Sequence, residues 1–320
     1  MAIGPKMQLS DRIGRRMKLH DIHVLLAVVQ AGSMNRAARL LNTTQSAISR
    51  SIADLESTMG VPLLDRSPQG VEPTQYGQAL LKRSIAAFDE LKQSVQDIAF
   101  LSDPGVGELR VGSSPAQAEG LTFAVLDRVS RQYPRIVVQV VLGGMLQLCE
   151  ELRGRRIDLG VARISGPASP EDIDQEVLFD DPLVVVAGAA NPWIGRRNIK
   201  LVELVNEPWT WTSQGNLVDS IIIEIFRANG LKPPRSTIHV SSTTMRLKLA
   251  ATGRFLAVVA ASALQFHENR ASIKVLRLDL PTTHQQTGII TLKNRTLSPL
   301  SQIFIECARQ MAKPLAKKKS

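Results

Sequence analysis

The sequence has only two cysteines, Cys149 and Cys307, among its 320 residues. Two cysteines cannot form the disulfide framework of a small secreted domain, and no group of Cys and His has the spacing of metal ligands. The first twenty residues contain the polar run DRIGRRMKLH, where a signal peptide needs an apolar stretch. No run of about 18 uncharged apolar residues occurs. These absences predict a cytoplasmic protein that does not enter a membrane and holds no metal or other cofactor.

Catalytic signatures are also missing from the sequence. The five histidines are scattered and lack the HExxH spacing of a zinc protease. No GxSxG, Walker or GxGxxG sequence follows a β-rich run. We therefore expect that the protein is not an enzyme and has no catalytic residues.

The chain is long and basic. A length of 320 residues predicts two or three compact units, and a hydrophobic content of 44% is typical of a folded protein. The net charge of +10 favours a polyanionic partner. However, residues 1–102 hold only 12 of the 39 Lys and Arg residues, against 9 of the 29 acids. Charge alone therefore does not locate a nucleic-acid site.

Helical patterns fill the N-terminal third of the chain. HDIHVLLAVVQAG predicts a first helix, and SMNRAARLLN predicts a short second helix with Ser33 or Asn35 as its N-cap. TTQSAISRSIADLESTMG predicts a third helix, capped by Thr43 or Thr44 and closed by Gly60. About three residues separate the second and third helices, as in a helix-turn-helix. VPLLDRSPQGVEPT then alternates around a Pro-Gln-Gly turn and predicts a two-stranded wing.

The third helix has two different faces. Its apolar residues recur at helical spacing and should point into a core: Ile48, Ile52, Leu55 and Met59. Its other face carries almost no acid: Gln45, Ser46, Ser49, Arg50 and Ala53. Gln can form paired hydrogen bonds with adenine and Arg with guanine, so this face suits the major groove of DNA. A solvated face of a small helical bundle is the alternative.

An uninterrupted helical pattern follows from Thr74 to about Leu101. Apolar residues repeat along it in heptads, which predicts a partner helix from a second copy of the chain and hence a homodimer or homotetramer. The residues of this predicted seam are Leu81, Phe88, Leu91, Val95 and Ile98. The run SDPGVGE (102–108) is the clearest domain boundary.

Short β-rich runs alternate with helical stretches beyond residue 108, for example ELRVGSS, IVVQVVLGG and RIDLGVAR. This alternation predicts parallel strands in α/β units arranged as two small lobes. We expect lobe limits of about 108–165 with 280–312, and about 166–279, joined near 163–177 and 277–288.

Five sequence elements in residues 19–81 have the order and spacing of a known family of DNA-binding domains: GSMNRAARLL, TQSAIS, IADLE, MGVPLLDR and PTQYG. This segment resembles the DNA-binding domain of the LysR-type transcriptional regulators, and the rest of the chain resembles the effector-binding module of that family. ATGRFLAVVAASAL is similar to the branch that includes the galactose-binding-protein regulator.

The resemblance implies an N-terminal all-α winged helix-turn-helix, a long linker helix, and an α/β two-lobed effector-binding module with a type II periplasmic-binding-protein-like fold. The implied limits are residues 18–74, 75–102 and 103–314. It also implies positions that read the DNA groove, with a phosphate contact in the wing: Thr44, Gln45, Ser46, Ser49, Arg50 and Arg66. Ser46 stands where the family usually has proline, and Pro73 and Tyr76 replace the usual leucine and alanine.

Ligands of such α/β folds bind at the carboxyl ends of strands, beside helix N-termini. The residues at these ends are candidates for effector binding: Ser113, Ser114, Gly143, Gly144, Arg163, Thr212, Ser213, Ser241 and Ser242. Their hydroxyl and N–H groups suit a small anionic or polyhydroxy metabolite. The serines and threonines could instead only cap helices, and Arg163 could instead pair with an acid of the opposite lobe.

These features predict a sequence-specific transcriptional regulator that is controlled by an effector bound between two lobes. Its candidate partners are double-stranded DNA, a metabolite, further copies of the chain, and RNA polymerase. The alternative is a solute-binding protein of the receptor type without a DNA function, which leaves residues 20–100 unexplained. An architectural DNA-binding protein without an effector would leave the α/β region unexplained.

Overall fold

Three short helices form the beginning of the chain, as their sequence patterns predict. The computed structural model describes residues 16–68, 70–164, 170–212, 217–234, 236–265, 270–278 and 285–316, and it divides near residue 92 into an N-terminal and a C-terminal unit. The first helices of the N-terminal unit are α1 (Leu19–Ala31), α2 (Met34–Leu40) and α3 (Gln45–Met59). Their buried faces form one apolar core around Leu25, Ile48 and Ile52.

Local capping residues determine where these helices begin and end. Ser33, not Asn35, is the N-cap of α2. Thr44, not Thr43, is the N-cap of α3, and its hydroxyl accepts a hydrogen bond of 3.2 Å from the backbone N–H of Ala47. Such a side chain satisfies one of the free N–H groups of the first turn. Gly60 ends α3 in the left-handed region at φ 75°.

The wing is a hairpin of β1 (Leu64–Ser67) and β2 (Gly70–Pro73), paired antiparallel as predicted. The carboxylate of Glu56 in α3 holds its first strand, because Oε1 accepts hydrogen bonds from the N–H groups of Leu63 at 2.7 Å and Leu64 at 3.2 Å. This contact joins the IADLE element to the MGVPLLDR element. The orientation of the wing is therefore fixed by α3 itself.

A close approach of two backbone segments determines the start of α4 (Gln75–Ser102). The hydroxyl of Thr74 donates to the carbonyl of Pro62 at 2.8 Å and accepts from the N–H of Gly77 at 3.1 Å. A Cβ at Gly77 would overlap the carbonyl oxygen of Leu63, so only glycine fits there. Together these contacts explain the PTQYG element, and neither Pro73 nor Tyr76 prevents the helix from beginning.

The predicted heptad seam on α4 is only partly exposed in the single chain. Leu81 is buried in the core of the N-terminal unit, and Phe88 packs against the same core. Periodicity shows that a helix has an apolar stripe but not which surface covers it, and here the core of the same unit covers Leu81 and part of Phe88. The later seam residues are exposed, together with Leu101: Leu91, Val95 and Ile98.

The C-terminal unit contains two five-stranded sheets, which we call the first and second lobes. Their strands are β3 (Val106–Ser113), β4 (Arg135–Leu142), β5 (Leu159–Ile164), β6 (Ile173–Asp180), β7 (Leu183–Gly188), β8 (Trp209–Trp211), β9 (Ser236–His239), β10 (Leu256–Ala260), β11 (Ile273–Val275) and β12 (Gln286–Leu292). The strand order is β4-β3-β5-β12-β6 in the first lobe and β11-β7-β10-β8-β9 in the second.

Helices connect these strands and cover the sheets. They are α5 (Pro115–Gln117), α6 (Phe123–Gln132), α7 (Met145–Arg153), α8 (Leu217–Ala228), α9 (Thr243–Ala251) and α10 (Pro299–Ala316), and a π-helical turn (Ala118–Thr122) joins α5 to α6. The main core of the first lobe surrounds Phe304, and that of the second lobe surrounds Trp209. None of the helices that the structure describes is long and apolar enough to span a membrane.

The sheets are mixed rather than wholly parallel. Strands β3, β4 and β5 are parallel to one another, as are β8, β9 and β10, but β12 and β7 run antiparallel to their neighbours. The reason is the path of the chain. β7 and β12 each follow a crossing from the other lobe, so each begins at the edge of the sheet where the parallel strands end.

The limit between the lobes differs from the expected one. Strand β6 pairs with β12, so residues 173–180 belong to the first lobe, whereas the expected second lobe was 166–279. The chain therefore crosses to the second lobe at Asp181 and Pro182, and it returns between Val275 and Gln286. Residues 165–169 and 279–284, in the two expected junctions, lie outside the described residues.

Candidate functional site

One candidate surface is the polar face of α3. Gln45, Ser46 and Arg50 are exposed, and Ser49 is half-buried. The opposite face is buried at Ile48, Ile52 and Leu55, and Met59 is half-buried. The two-faced interpretation of this helix is therefore confirmed. The groove-reading role of its polar residues is a separate prediction.

The first turn of α3 and the wing present further polar groups. The hydroxyls of Thr44 and Ser46 lie 3.0 Å apart, so the serine that replaces the usual proline adds a hydrogen-bonding group at the helix N-terminus. Arg66 is exposed on β1. Neither Arg50 nor Arg66 forms an ion pair with an acid in the part of the chain that the structure describes. Both guanidinium groups can therefore contact an external anion without breaking a bond.

The second candidate surface is the junction between the two lobes, and Asp181 lies at its centre. This residue is 1% exposed. From the first lobe, Gln117 Nε2 donates to its carboxylate at 3.0 Å and the Thr287 hydroxyl at 3.2 Å. From the second lobe, Ser262 donates through its N–H at 2.9 Å and its hydroxyl at 2.7 Å. One carboxylate thus joins both lobes at the crossing.

Two arginines are buried at the same junction with unused hydrogen-bond donors. Arg163 lies on β5, next to Thr287 in the sheet, and is 9% exposed. Its Nη1 is buried without a partner among the described residues. Arg246 lies on α9 and is 6% exposed; it donates to the carbonyl of Val258 at 2.6 Å and to the hydroxyl of Thr243 at 3.1 Å. Its Nε has no such partner.

The electrostatics of these arginines agree with the geometry. Burial lowers the pKa of Arg246 to about 10, and the carboxylate of Glu119 opposes this shift while Arg163 adds to it. Burial also lowers the pKa of Arg163, and Asp181 opposes that shift. Both side chains nevertheless stay charged at neutral pH, so two cations face each other in a region of low dielectric. An anion placed between them would be stabilised.

A carboxylate of the first lobe also reaches the N-terminus of a helix of the second lobe. Glu119, on the π-helical turn, accepts hydrogen bonds of 2.5 Å from both the N–H and the hydroxyl of Thr244. The hydroxyl of Ser242 lies 3.3 Å from its other oxygen. These groups lie at the start of α9, where free N–H groups and the helix dipole favour negative charge.

The predicted effector residues fall into different environments. Ser113 is fully buried, and its hydroxyl lies 2.8 Å from that of Thr122 inside the first lobe. The hydroxyl of Ser114 is buried without a partner among the described residues. Ser242 is the N-cap of α9. Gly143 follows β4 and is buried, and Gly144 is the exposed N-cap of α7. Thr212 follows β8 and is buried, and Ser241 follows β9 and is exposed. Ser213 lies outside the described residues.

Four important residues of the junction were missed by sequence reasoning: Gln117, Glu119, Asp181 and Arg246. Glu119 and Arg246 resemble ordinary surface charges of amphipathic helices. Asp181 follows the unrecognised strand β6, so the sequence offered no reason to place it at a crossing. The one available signal is its position before Pro182, since such dipeptides favour extended or turn structure.

Other reactive groups do not converge here. Both cysteines are buried, and burial raises the pKa of the Cys149 and Cys307 thiols, which disfavours the nucleophilic thiolate. Among the described residues, no three side chains of His, Cys, Asp or Glu are grouped as a metal site.

Comparison with protein-family profiles gives two matches that together span most of the chain. Residues 19–78 match the profile "Bacterial regulatory helix-turn-helix protein, lysR family". Residues 102–313 match the profile "LysR substrate binding domain". The two matched segments correspond to the helical beginning of the chain and to the two-lobed C-terminal unit.

Individual proteins resemble the chain over nearly its full length. The HTH-type transcriptional regulator GbpR of Azospirillum brasilense is 26% identical over 295 residues, which are 92% of this chain and 86% of GbpR. A full-length OxyR variant of Pseudomonas aeruginosa has a TM-score of 0.66 at 19% identity, covering 95% of this chain and 99% of that one. Full-length CbnR complexed with its target DNA has a TM-score of 0.60 at 23% identity, with 92% and 99% coverage. At these identities the structures show the same fold.

The junction predicts a large difference between two adjacent aspartates. Asp181→Ala should lower the free energy of unfolding of the C-terminal unit by about 3 kcal/mol, because buried donors of both lobes lose their acceptor. Asp180→Ala is the matched control, since Asp180 is exposed and accepts one bond of 3.4 Å from Gln286. That variant should change stability by less than about 1 kcal/mol. Urea denaturation of the full chain measures both, and equal effects would contradict the central role of Asp181.

Proposed function

The chain belongs to the LysR family of bacterial regulatory helix-turn-helix proteins, and from this premise we propose how its two units perform that function. It is a DNA-binding transcriptional regulator with an effector-binding domain. In our proposal, α3 and the wing read a specific DNA sequence, and a small acid bound at the lobe junction controls this activity. The observation that carries the effector proposal is the pair of buried arginines with unused donors, Arg163 and Arg246.

The polar face of α3 supports the DNA proposal. Gln45 and Arg50 have side chains that can bond base edges, and Ser46 and Ser49 are short enough to allow close approach. Arg66 on the wing lies outside α3 and suits a backbone phosphate. We assign base recognition to Arg50 and phosphate contact to Arg66, because only a side chain on the groove-facing helix reaches the bases.

The junction favours an acid over a neutral sugar as the effector. A carboxylate or phosphate would accept the unused N–H groups of Arg163 and Arg246 as an ion pair, which is stronger than a hydrogen bond to the neutral hydroxyl of a polyhydroxy ligand. A separate pocket of about 390 Å³ lies in the second lobe beside Lys200 and Asn229. Its cation is an exposed lysine, which attracts an anion weakly in water, so this pocket is the weaker candidate.

The exposed residues of α4 support a homo-oligomer. Leu91, Val95 and Ile98 lie on one long helix and are exposed to solvent in the single chain. A second copy of α4 would bury this stripe, as in a coiled coil. We therefore propose that at least a dimer forms through the second half of α4.

The DNA assignment predicts different effects for two arginines. On a sequence selected from a random duplex library, Arg50→Ala should weaken binding by about 1–3 kcal/mol and relax base preference. Arg66→Ala should weaken binding to selected and random DNA alike. It should also reduce the slope of log affinity against log salt concentration by about one. Arg227→Ala, an exposed cation of the C-terminal unit, controls for charge. Fluorescence anisotropy measures each affinity, and an Arg50→Ala variant with an unchanged selected sequence would exclude Arg50 from base recognition.

The oligomer proposal predicts loss of assembly when the exposed stripe is charged. Leu91→Asp combined with Val95→Asp should shift the protein towards monomer, since each buried carboxylate is strongly unfavourable. Lys82→Asp changes the net charge by the same two units at an exposed site of the same helix and should leave assembly intact. Sedimentation velocity separates the species. A double variant that assembles as tightly as the wild type would show that α4 is not the interface.

The effector proposal predicts that Arg163 serves binding rather than stability. Arg163→Met should keep or raise the melting temperature, because an apolar side chain of similar length replaces a buried cation whose Nη1 has no hydrogen-bond partner among the described residues. The same variant should bind acids roughly 10- to 100-fold more weakly. Thermal-shift screening of phosphate esters, carboxylic acids and neutral sugars gives the comparison, with Arg227→Met as the control. Acid binding that is indifferent to Arg163 would place the site elsewhere.

A further inference from the structure

Glu119 belongs to the first lobe, but its carboxylate contacts the second lobe. It lies on the π-helical turn between α5 and α6, where Gly120 has the non-helical angles φ −125° and ψ −108°. This irregular turn directs the carboxylate out of the first lobe and onto the start of α9 in the second lobe. π-Helical turns within helices often occur at functional sites. The contact therefore connects an irregular segment of one lobe with a helix N-terminus of the other.

The start of α9 does not need Glu119 as a cap. Ser242 already caps this helix, because its hydroxyl accepts a hydrogen bond of 3.2 Å from the N–H of Met245. Glu119 instead takes the N–H and hydroxyl of Thr244, which an external acid could also use. The carboxylate thus occupies an anion site that the helix would otherwise present to a ligand.

The surroundings of Glu119 contain hydrogen-bond donors that Glu119 does not use. Arg246 is 6% exposed and Arg163 is 9% exposed, and each retains a buried donor without a partner among the described residues. Asp181 does not fill this need, since its oxygens already accept bonds from Gln117, Ser262 and Thr287. One unused donor on each arginine therefore remains for an acid group of a ligand.

We propose that Glu119 is an internal competitor of the effector: the acid group of the effector and the carboxylate of Glu119 bind the same donors at the start of α9. The inference rests on the proposed function of the junction and names its ligand more closely. Displacing Glu119 leaves Arg163, Arg246 and the N-terminus of α9 facing one ligand. That combination fits a small dianion, such as a phosphate or a dicarboxylate, better than a monoacid.

The competition also supplies a mechanism of control. Glu119 belongs to the first lobe and Thr244 to the second, so displacement breaks a lobe–lobe hydrogen bond. A ligand that contacts Arg163 in the first lobe and α9 in the second replaces this hydrogen bond with a bridge through the ligand, which has a different length. Only such a ligand interacts differently with the two arrangements, and only differential binding can shift a conformational equilibrium.

Inorganic phosphate is the probe that tests the competition. Calorimetric titration of the full-length protein in chloride buffer should show Glu119→Ala binding phosphate about tenfold or more tightly than the wild type, because one competing charge-assisted hydrogen-bond acceptor is gone. Glu119→Gln keeps the length of the side chain and removes its charge, so its affinity should lie between the two. Glu171→Ala, which removes an exposed carboxylate elsewhere in the first lobe, should match the wild type.

The outcomes separate this inference from the proposed function. Adding Arg163→Met to Glu119→Ala should remove the gain in phosphate affinity. If phosphate binding needs Arg163 but neither Glu119 variant binds more tightly than the wild type, the competitor role is wrong and the junction site stands. If binding is indifferent to Arg163 in every background, or phosphate binds neither the wild type nor the Glu119 variants, both the site and the competition are overturned.

Discussion

The two lobes of the effector-binding domain depend on one buried carboxylate at the point where the chain first crosses between them. Asp181 accepts hydrogen bonds from Gln117 and Thr287 of the first lobe and from Ser262 of the second. Because Gln117 immediately precedes the π-helical turn, this bond also holds the segment that carries Glu119. A charge that is buried and fully hydrogen-bonded stabilises one arrangement of its donors and makes others unfavourable. The junction can therefore place several polar groups accurately without a large apolar interface.

The neighbouring arginines show the opposite condition. Arg163 and Arg246 are buried, each with one donor that has no partner in the described part of the chain, and burial lowers the pKa of both. A domain selected only for stability would replace such cations with apolar side chains or pair each with an acid. Their presence at the lobe junction fits a ligand that supplies the missing acceptors. The DNA-binding unit also has arginines that lack an acid partner. Arg50 and Arg66 are exposed and form no ion pair among the described residues.

Local signals made the N-terminal unit predictable from the sequence, whereas long-range contacts limited prediction of the junction. Thr44 and Gly60 specify the ends of α3 through their own backbone preferences. Heptad spacing could not distinguish Leu81, which packs into the core of its own unit, from the exposed Leu91. Strand β6 (IDQEVLFD) was missed because its charged residues hide the apolar alternation. Glu119 contacts Thr244 across more than a hundred residues of sequence, so no local pattern could associate them.

A distance measurement between the lobes tests the lobe–lobe bond of Glu119 directly. Spin labels on Lys293→Cys in the first lobe and Lys248→Cys in the second are both on exposed sites, and the native thiols are buried. Pulsed electron paramagnetic resonance then reports the lobe–lobe distance. We predict that Glu119→Ala shifts or broadens the distribution relative to the wild type, and that inorganic phosphate narrows it again. Identical distributions in all three samples would contradict the claim that Glu119 and an acid alternate as the connection between the lobes.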